Sequence, residues 1–431
     1  MAPLINPPSP GRVPPEAPRA DTLPFDPALP GVGTEVGPTV GIDDGAGNAA
    51  DALEPVGALP AEQLEGEAAL ETGLSLWAVV FAGGIGSRFW PLSSPQRPKQ
   101  LLALVGERPL IAETVARLAP TVPASQVLVV TSADIADALR AAVPDVPPDN
   151  FLVEPRPLGT AAALAWGAQE VGRRAGPRTT FVAMHADLAV AYPAALRQLL
   201  ARAARVTAAG PAMVVLGTDP TRPETGFGYA VPGVPLYPDE AGPDAPHRVS
   251  RFVEKPGPLL AEELIAHGAL WHTGILVARA GAVLEVVAAH TPELQPGLAA
   301  LEAGKFDRFA GMIQSVSLER GILERVPDLV VLPAACGWDD VGTWAALRRI
   351  RELDDEGNGV WGRAHLVDSS GSVVHAEGGT VVVYGMSSVL VVTRPGLTFV
   401  TSLDRAADLR PLLDQLPDDV RRPGTPAAAS P

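Results

Sequence analysis

The segment Ala82-Gly83-Gly84-Ile85-Gly86-Ser87-Arg88-Phe89-Trp90-Pro91-Leu92, followed by Pro98-Lys99-Gln100, concentrates residue types that can hold a phosphate chain. Its glycines let the backbone turn sharply and approach a polyphosphate closely, leaving N–H groups to face it, and Arg88 and Lys99 add positive charge. A dinucleotide-binding turn is the rival reading. That fingerprint needs Gly-x-Gly-x-x-Gly, whereas here Phe89 occupies the third small position and an arginine falls two residues after Gly86.

The elements that must position this loop are legible in the hydrophobic periodicity. Short β-rich runs at Trp77 to Ala82, Val127 to Thr131, Phe151 to Glu154 and Thr180 to Met184 alternate with helical spacing at Leu110 to Leu118, Ile135 to Val143 and Thr160 to Arg174. This rhythm predicts an α/β fold: a Rossmann-like, mostly parallel mixed sheet flanked by helices. Ligands in such sheets lie beyond the carboxyl ends of the strands, where the glycine loop falls. After Gly357 the texture becomes short strands broken by Gly and Ser, closed by an amphipathic stretch at about Asp404 to Leu416. The expected organisation is a disordered acidic Pro/Gly/Ala-rich tail over 1–75, a catalytic domain over 76–356, a small β-rich domain with a final helix over 357–418, and a loose end over 419–431.

With these motifs in place, Gly83-Gly84-x-Gly86-x-Arg88-x-x-Pro91-Leu92 with Pro98-Lys99 resembles the signature of the sugar-phosphate nucleotidyltransferases. The form carrying Phe89-Trp90 and Pro98-Lys99-Gln100 is similar to their mannose-1-phosphate guanylyltransferase branch, and the resemblance extends over about Trp77 to Leu416. It implies the nucleotidyltransferase fold, GTP and mannose 1-phosphate as substrates, and GDP-mannose with pyrophosphate as products. It further implies that Ala82, Gly83, Gly84, Gly86 and Arg88 hold the nucleotide phosphates, that Lys99 stabilises charge at the α-phosphate, and that Thr160 lies near the base. Asp187, in Met184-His185-Ala186-Asp187, and Asp340, in Trp338-Asp339-Asp340-Val341-Gly342-Thr343-Trp344, are the implied Mg²⁺ ligands, since two distant carboxylates can meet at strand ends on a metal that bridges phosphate oxygens. Asp339 is left a turn role.

The implied sugar side comprises Gly226 in Thr225-Gly226-Phe227-Gly228-Tyr229, Glu254 and Lys255 in Phe252-Val253-Glu254-Lys255-Pro256, His272 and Thr273 in Trp271-His272-Thr273-Gly274-Ile275, and Glu319 beside Ser317 and Leu318. Glu254 would accept sugar hydroxyls and Lys255 would neutralise the sugar phosphate. The chain departs from the family at His272, where Asn is usual, at Glu319, where Asp is usual, at Gly159, where Asn is usual, and at His185 and Leu188. A hydroxyl-facing His272 would be expected to titrate near ~6.5.

Composition narrows the alternatives. Hydrophobic residues make up 47% and charged residues 19%, which suits a globular chain. The net charge is −16, with twelve acidic residues facing only Arg12 and Arg19 before Leu76. An acidic balance argues against nucleic acid as a partner, which needs a basic surface. The single cysteine, Cys336, excludes an internal disulfide and fits a reducing compartment, so the cytoplasm is expected. No run approaches the ~18 apolar residues of a membrane span. A homodimer is among the assemblies open to the chain. Three rivals stand beside guanylyl transfer: another sugar or base, a non-catalytic nucleotide-binding regulator, and a bifunctional form with an isomerase domain. The four charged motif residues count against the second. The absence of clustered His and Glu after residue 357 counts against the third.

Overall fold

The computed structural model describes residues 76–84, 87–210, 213–239 and 242–421. The expected tail, Gly86 and the end beyond 421 lie outside the described residues.

A nine-stranded mixed sheet forms the centre, in the order β3-β2-β1-β4-β9-β6-β10-β8-β7. Its strands are β1 (Trp77–Phe81), β2 (Val127–Ser132), β3 (Phe151–Glu154), β4 (Thr180–His185), β6 (Met213–Thr218), β7 (Gly228–Pro235), β8 (His247–Glu254), β9 (Leu270–Arg279) and β10 (Leu329–Pro333). β1 to β4 pair in parallel, and β10 is parallel to β6. β9 runs antiparallel between β4 and β6. The expectation of a mostly parallel sheet needs one correction. β7 pairs with β8 and also reaches β9 through Tyr229 opposite Trp271, so the second half of the sheet curls back on itself. That closure rests on pairings between distant segments, which hydrophobic periodicity does not encode.

The inner strands are apolar on both faces because helices cover both. Val79 and Phe81 join the core beneath the helices Thr160–Ala175 and Ala280–His290. Ala78 and Val80 point the other way, under Leu110–Leu118, Ala133–Ala142 and Pro193–Ala209. This alternation follows from the two-residue period of a strand. A two-stranded antiparallel ribbon, β5 (Ala189–Val190) with β11 (Trp338–Asp339), lies after β4 and β10.

The C-terminal region stacks short strands like rungs. β12 (Gly359–Trp361), β14 (Val373–Ala376) and β16 (Val389–Arg394) pair in parallel, β17 (Leu397–Ser402) adds antiparallel, and β13 (Ala364–Val367) pairs in parallel with β15 (Val381–Tyr384). The amphipathic stretch expected at Asp404 to Leu416 is not one helix. It divides into a turn at Arg405–Ala407 and a short helix Arg410–Leu413, followed by a separate helix Asp418–Arg421. Pro411 explains the break, because proline lacks an N–H and its ring clashes with the carbonyl four residues earlier.

A third core joins these strands to the segment after the glycine loop. Phe89, Trp90, Leu92, Leu102 and Leu104 pack with Val341, Trp344 and Leu347 and with Val373, Leu390, Val392 and Phe399. Polar contacts reinforce the junction. Arg97 forks onto Glu377 at 3.0 and 2.7 Å, and Trp344 Nε1 donates to Trp90 O at 3.2 Å. Buried Arg351 donates to the carbonyls of Leu104 and Val374 and to His375 Nδ1 at 2.8 Å. Burial, reinforced by Arg351 and Arg97, pulls the His375 pKa down to about 3, so a neutral ring accepts that bond.

Trp344 is fully buried at the centre of this junction. Trp344→Ala is expected to cost about 3–5 kcal/mol of stability through the cavity left behind. Denaturant unfolding followed by fluorescence and circular dichroism checks this, and a loss below about 1 kcal/mol would show that the junction does not depend on it.

Candidate functional site

β1 ends at Phe81 and the chain leaves through Ala82, Gly83 and Gly84. Ala82 is buried and tied to β2: its N–H donates to Val130 O at 2.8 Å, and its carbonyl accepts from Thr131 Oγ1. Gln100 Nε2 donates to Gly83 O at 3.0 Å and to Gly84 O at 3.1 Å, fixing the loop from below. Gly84 has φ +93°, and a Cβ at Gly83 or Gly84 would meet no atom within 4 Å, so open space lies over the turn. Arg88 is exposed on the turn Ser87–Phe89, and among the described residues no carboxylate pairs with it.

Lys99 is buried at the start of the turn Lys99–Leu101. Its ammonium lies 2.9 Å from Asp187 Oδ2 and donates to the Asp340 carbonyl at 3.0 Å. A lysine has three donors, so two are engaged and one is left over. Both candidate aspartates therefore converge on one cation, though 153 residues of sequence separate them. Burial pushes the Asp187 carboxyl upward, but Lys99 and then His185 outweigh it and hold the group below the usual carboxylate range. Asp340 shifts the other way: burial and the adjacent Asp339 carboxylate raise it against the pull of Lys99.

The loop carrying Asp340 is held in an unusual shape. Val341 has φ +47°, a region that β-branched residues seldom occupy. Asp339 holds it there. Its Oδ1 accepts the Val341 N–H at 3.0 Å, while the Arg349 guanidinium forks onto both Asp339 oxygens at 2.7 and 3.0 Å. Asp339 is thus a positioning residue for its neighbour. The Asp340 carboxylate lies over Gly342, whose missing Cβ leaves the space that its Oδ2 occupies.

Ahead of β7, the segment 224–229 turns on Glu224, which accepts the Gly226 N–H at 3.2 Å and pairs with Arg222 at 3.0 Å. The Glu254 side chain is buried and pairs with Lys255 Nζ at 2.9 Å, and Lys255 has φ +51°. Burial raises the Glu254 carboxyl, with Lys255 opposing and Glu319 adding repulsion. Glu324 accepts the Glu254 N–H at 2.9 Å. Thr273 is fully buried and spends its hydroxyl on Leu216 O, at 2.9 Å. Thr160 opens its helix and accepts the Leu318 N–H at 2.7 Å, tying that helix to the start of the Glu319 turn. Gly159 precedes it with φ +88°, and a Cβ there would collide with the Val316 carbonyl, which accounts for glycine at this position.

His272 corrects one expectation. It is buried edge-on to Phe252, with ring centroids 5.6 Å apart. Burial pulls its pKa down to about 4, with Glu319 opposing and His185 reinforcing the shift. The ring is therefore neutral well below the expected ~6.5.

Folded proteins leave few buried polar atoms unpaired. Among the described residues, several such atoms gather at this edge: Gln100 Oε1, Glu154 Oε1, both nitrogens of His272, and the indole N–H groups of Trp271 and Trp338. β9 is antiparallel to β4 and β6, so its first residues meet their carboxyl ends. Trp271 and His272 lie opposite Thr218 and Gly217. Trp271 and Trp338 flank Phe227 at 5.1 and 5.5 Å. Sequence reading assigned Trp338, Gln100 and Arg349 no role of their own; only the converging geometry reveals them. Asp187 by its carboxylate and Asp340 by its backbone carbonyl share the Lys99 ammonium.

Known proteins resemble the chain over most of its length. The model of the nucleotidyl transferase family matches residues 77–357. The alginate biosynthesis protein AlgA of Pseudomonas putida is 31% identical over 355 residues, covering 80% of this chain and 72% of the relative. The mannose-1-phosphate guanylyltransferase ManC of Salmonella typhimurium is 31% identical over 365 residues, covering 80% and 74%. A crystal structure from Thermus thermophilus, described as a mannose-1-phosphate geranyltransferase, aligns with a TM-score of 0.71 at 31% identity, covering 79% of this chain and 99% of that one.

The contact between Asp340 and Gly342 yields a test of the loop. Gly342→Ala is expected to displace the Asp340 carboxylate and lower turnover by about 10²-fold, the scale of an ångström-level misplacement, with the fold retained. Steady-state kinetics and a melting curve together check it, and unchanged turnover would remove Asp340 from the working site.

Proposed function

Because the chain belongs to the nucleotidyl transferase family, we propose that it transfers the guanylyl group of GTP to mannose 1-phosphate, forming GDP-mannose and releasing pyrophosphate. The observation that carries this reading is the buried Lys99 ammonium, which meets Asp187 and Asp340 beside an open glycine turn.

In this reaction a phosphate oxygen of the sugar attacks the α-phosphorus of GTP in line. The new P–O bond forms as the bond to the β-phosphate breaks, and pyrophosphate departs with the electron pair. Such transfer needs positioning and charge stabilisation rather than a covalent nucleophile. The glycine turn and Arg88 bind the β- and γ-phosphates, and the third Lys99 donor faces the charge that grows at the α-phosphate. Asp187 and Asp340 suit Mg²⁺, a hard cation that takes one or two carboxylates and completes its shell with water and phosphate oxygens. Bound there, the ion would supply Lewis-acid stabilisation of the phosphates. Lys99 and Arg349 keep the two carboxylates oriented.

On the sugar side, Glu254 accepts hydroxyl donors while Lys255 balances the incoming phosphate. Neutral His272 can offer one donor and one acceptor to a hydroxyl. Guanine presents two adjacent N–H donors, and Glu154 supports that base. Its carboxyl ends β3, one oxygen is buried without a partner, and burial raises its pKa to about 7 against the pull of the Leu158 N–H and Arg156.

A matrix of nucleoside triphosphates against hexose 1-phosphates, with Mg²⁺ present and pyrophosphate release followed, tests the whole reading. GTP with mannose 1-phosphate is expected to give the highest kcat/KM, and preference for another pair would replace it. Lys99→Ala is expected to abolish turnover nearly completely, and near-normal rates would sink the assignment of the glycine turn.

Glu154 gives a pH prediction. The free protein holds its proton below about 7, so binding guanine to the carboxylate requires proton release there. GTP affinity should therefore strengthen as pH rises through that value and level off above it. Calorimetry one unit either side of it is the check. Glu154→Gln should flatten the dependence and cut discrimination against ATP by about tenfold or more, the scale of one mismatched buried hydrogen bond. A pH profile identical to that of the parent protein would exclude Glu154 from the base site.

A further inference from the structure

We propose that a second cavity, between the helix Leu347–Ile350 and the C-terminal strands, binds a small phosphate ester that also carries hydroxyl groups. The cavity measures about 430 Å³ and is lined by Ala345, Arg348, Arg349, Ser388, Leu403 and Asp404. That volume falls within the range of small-molecule sites, roughly 300–1,000 Å³.

Arg348 carries the argument. The neighbouring arginines are satisfied: Arg349 forks onto Asp339, and Arg351 is spent on Leu104, Val374 and His375. Arg348 is the exception in this run. Its Nε is buried and has no partner, and among the described residues no carboxylate pairs with its guanidinium. A buried cationic donor without a partner is costly unless a ligand satisfies it. Two glycines in the left-handed region, Gly357 at φ +75° and Gly371 at φ +63°, let the guanidinium lie against bare backbone. Its terminal nitrogens come within 3.5 and 3.6 Å of the points where Cβ atoms would stand. Ser388 Oγ lies 3.6 Å from the same point at Gly371, so hydroxyl and guanidinium converge there.

The donor set selects the ligand. A guanidinium fork and a hydroxyl match the oxygens of a phosphate. Asp404, also in the lining, would repel a bare second anion but can accept hydroxyl groups. A phosphorylated sugar or polyol satisfies both ends. The site stands apart from the reaction proposed above and does not depend on it. Arg349 shares its wall and holds Asp339 on its other side, so the cavity abuts the residue that steadies the Asp340 loop.

Calorimetry with the full chain tests this, using glucose 6-phosphate, inorganic phosphate and glucose as probes. Saturable binding of glucose 6-phosphate is expected, with inorganic phosphate weaker and glucose undetectable. Arg348→Gln and Ser388→Ala should each weaken glucose 6-phosphate at least tenfold, and Asp404→Ala should weaken it while sparing inorganic phosphate. Melting curves establish that each variant is folded, and Ser388→Ala carries the test if Arg348→Gln is not. No saturable binding, or an unchanged Kd in the folded variants, overturns the site. Equal affinity for inorganic phosphate and the ester overturns the hydroxyl-bearing class.

Discussion

One buried ammonium group organises the site. Lys99 joins the turn after β1 to the end of β4 through the Asp187 carboxylate, and to the loop after β11 through the Asp340 carbonyl. Taking a lysine out of water is unfavourable unless its charge is matched, and a carboxylate and a carbonyl do so here. The contact is reciprocal. Without the cation, the Asp187 carboxylate would lose its ion-pair partner and the Asp340 carboxylate would be left to the Arg349 guanidinium, 3.9 Å away. Gln100, the next residue, holds the glycine turn by its carbonyls, so a two-residue stretch governs both the loop and the acidic pair.

Local stability is sacrificed around that cation. Val341 and Lys255 both sit in the left-handed region. Buried polar atoms of Glu154, Trp271, His272 and Trp338 lack partners at the same edge. Strained backbone and unsatisfied donors cost of order 1–3 kcal/mol each and persist where the surrounding structure over-determines them. Here the over-determination is visible: Asp339 and Arg349 lock Val341, while Glu324 and the Phe227 carbonyl accept from the backbone around Lys255.

Much of this was legible in the residues alone. The β-rich run at Trp77 to Ala82, the helical spacing of Leu110 to Leu118, and the glycine turn with Arg88 and Lys99 are local signals, and local signals survive in a sequence. The curl of β7 onto β9 was not legible, because it pairs segments 42 residues apart in a register set by tertiary packing. The neutrality of His272 was equally hidden. Its type suggests titration near ~6.5, and only its burial against Phe252 pulls that down. The proline at 411, by contrast, was visible and forbade a continuous helix from Asp404 to Leu416. Apolar periodicity there outweighed it. The fork of Arg349 on Asp339 spans ten residues and leaves no pattern, since an isolated aspartate reads as a turn former.

The core shared by the glycine-turn segment and the C-terminal strands bears on how such a chain can be recombined. Phe89, Trp90, Leu102 and Leu104 bury themselves against Leu390, Val392 and Phe399 from beyond residue 357. The boundary at which the family match ends is therefore not a seam in the packing. Relatives at 31% identity differ at most positions, so exchanging halves at that boundary would mate two surfaces that never adapted to each other. The mismatch would reach Phe89, whose ring centre lies 5.7 Å from the Lys99 ammonium, rather than a remote linker. A change of side-chain volume at Leu390, Val392 or Phe399 would have to be met by the residues of 89–110 packed against it, since a filled core tolerates neither a void nor extra bulk.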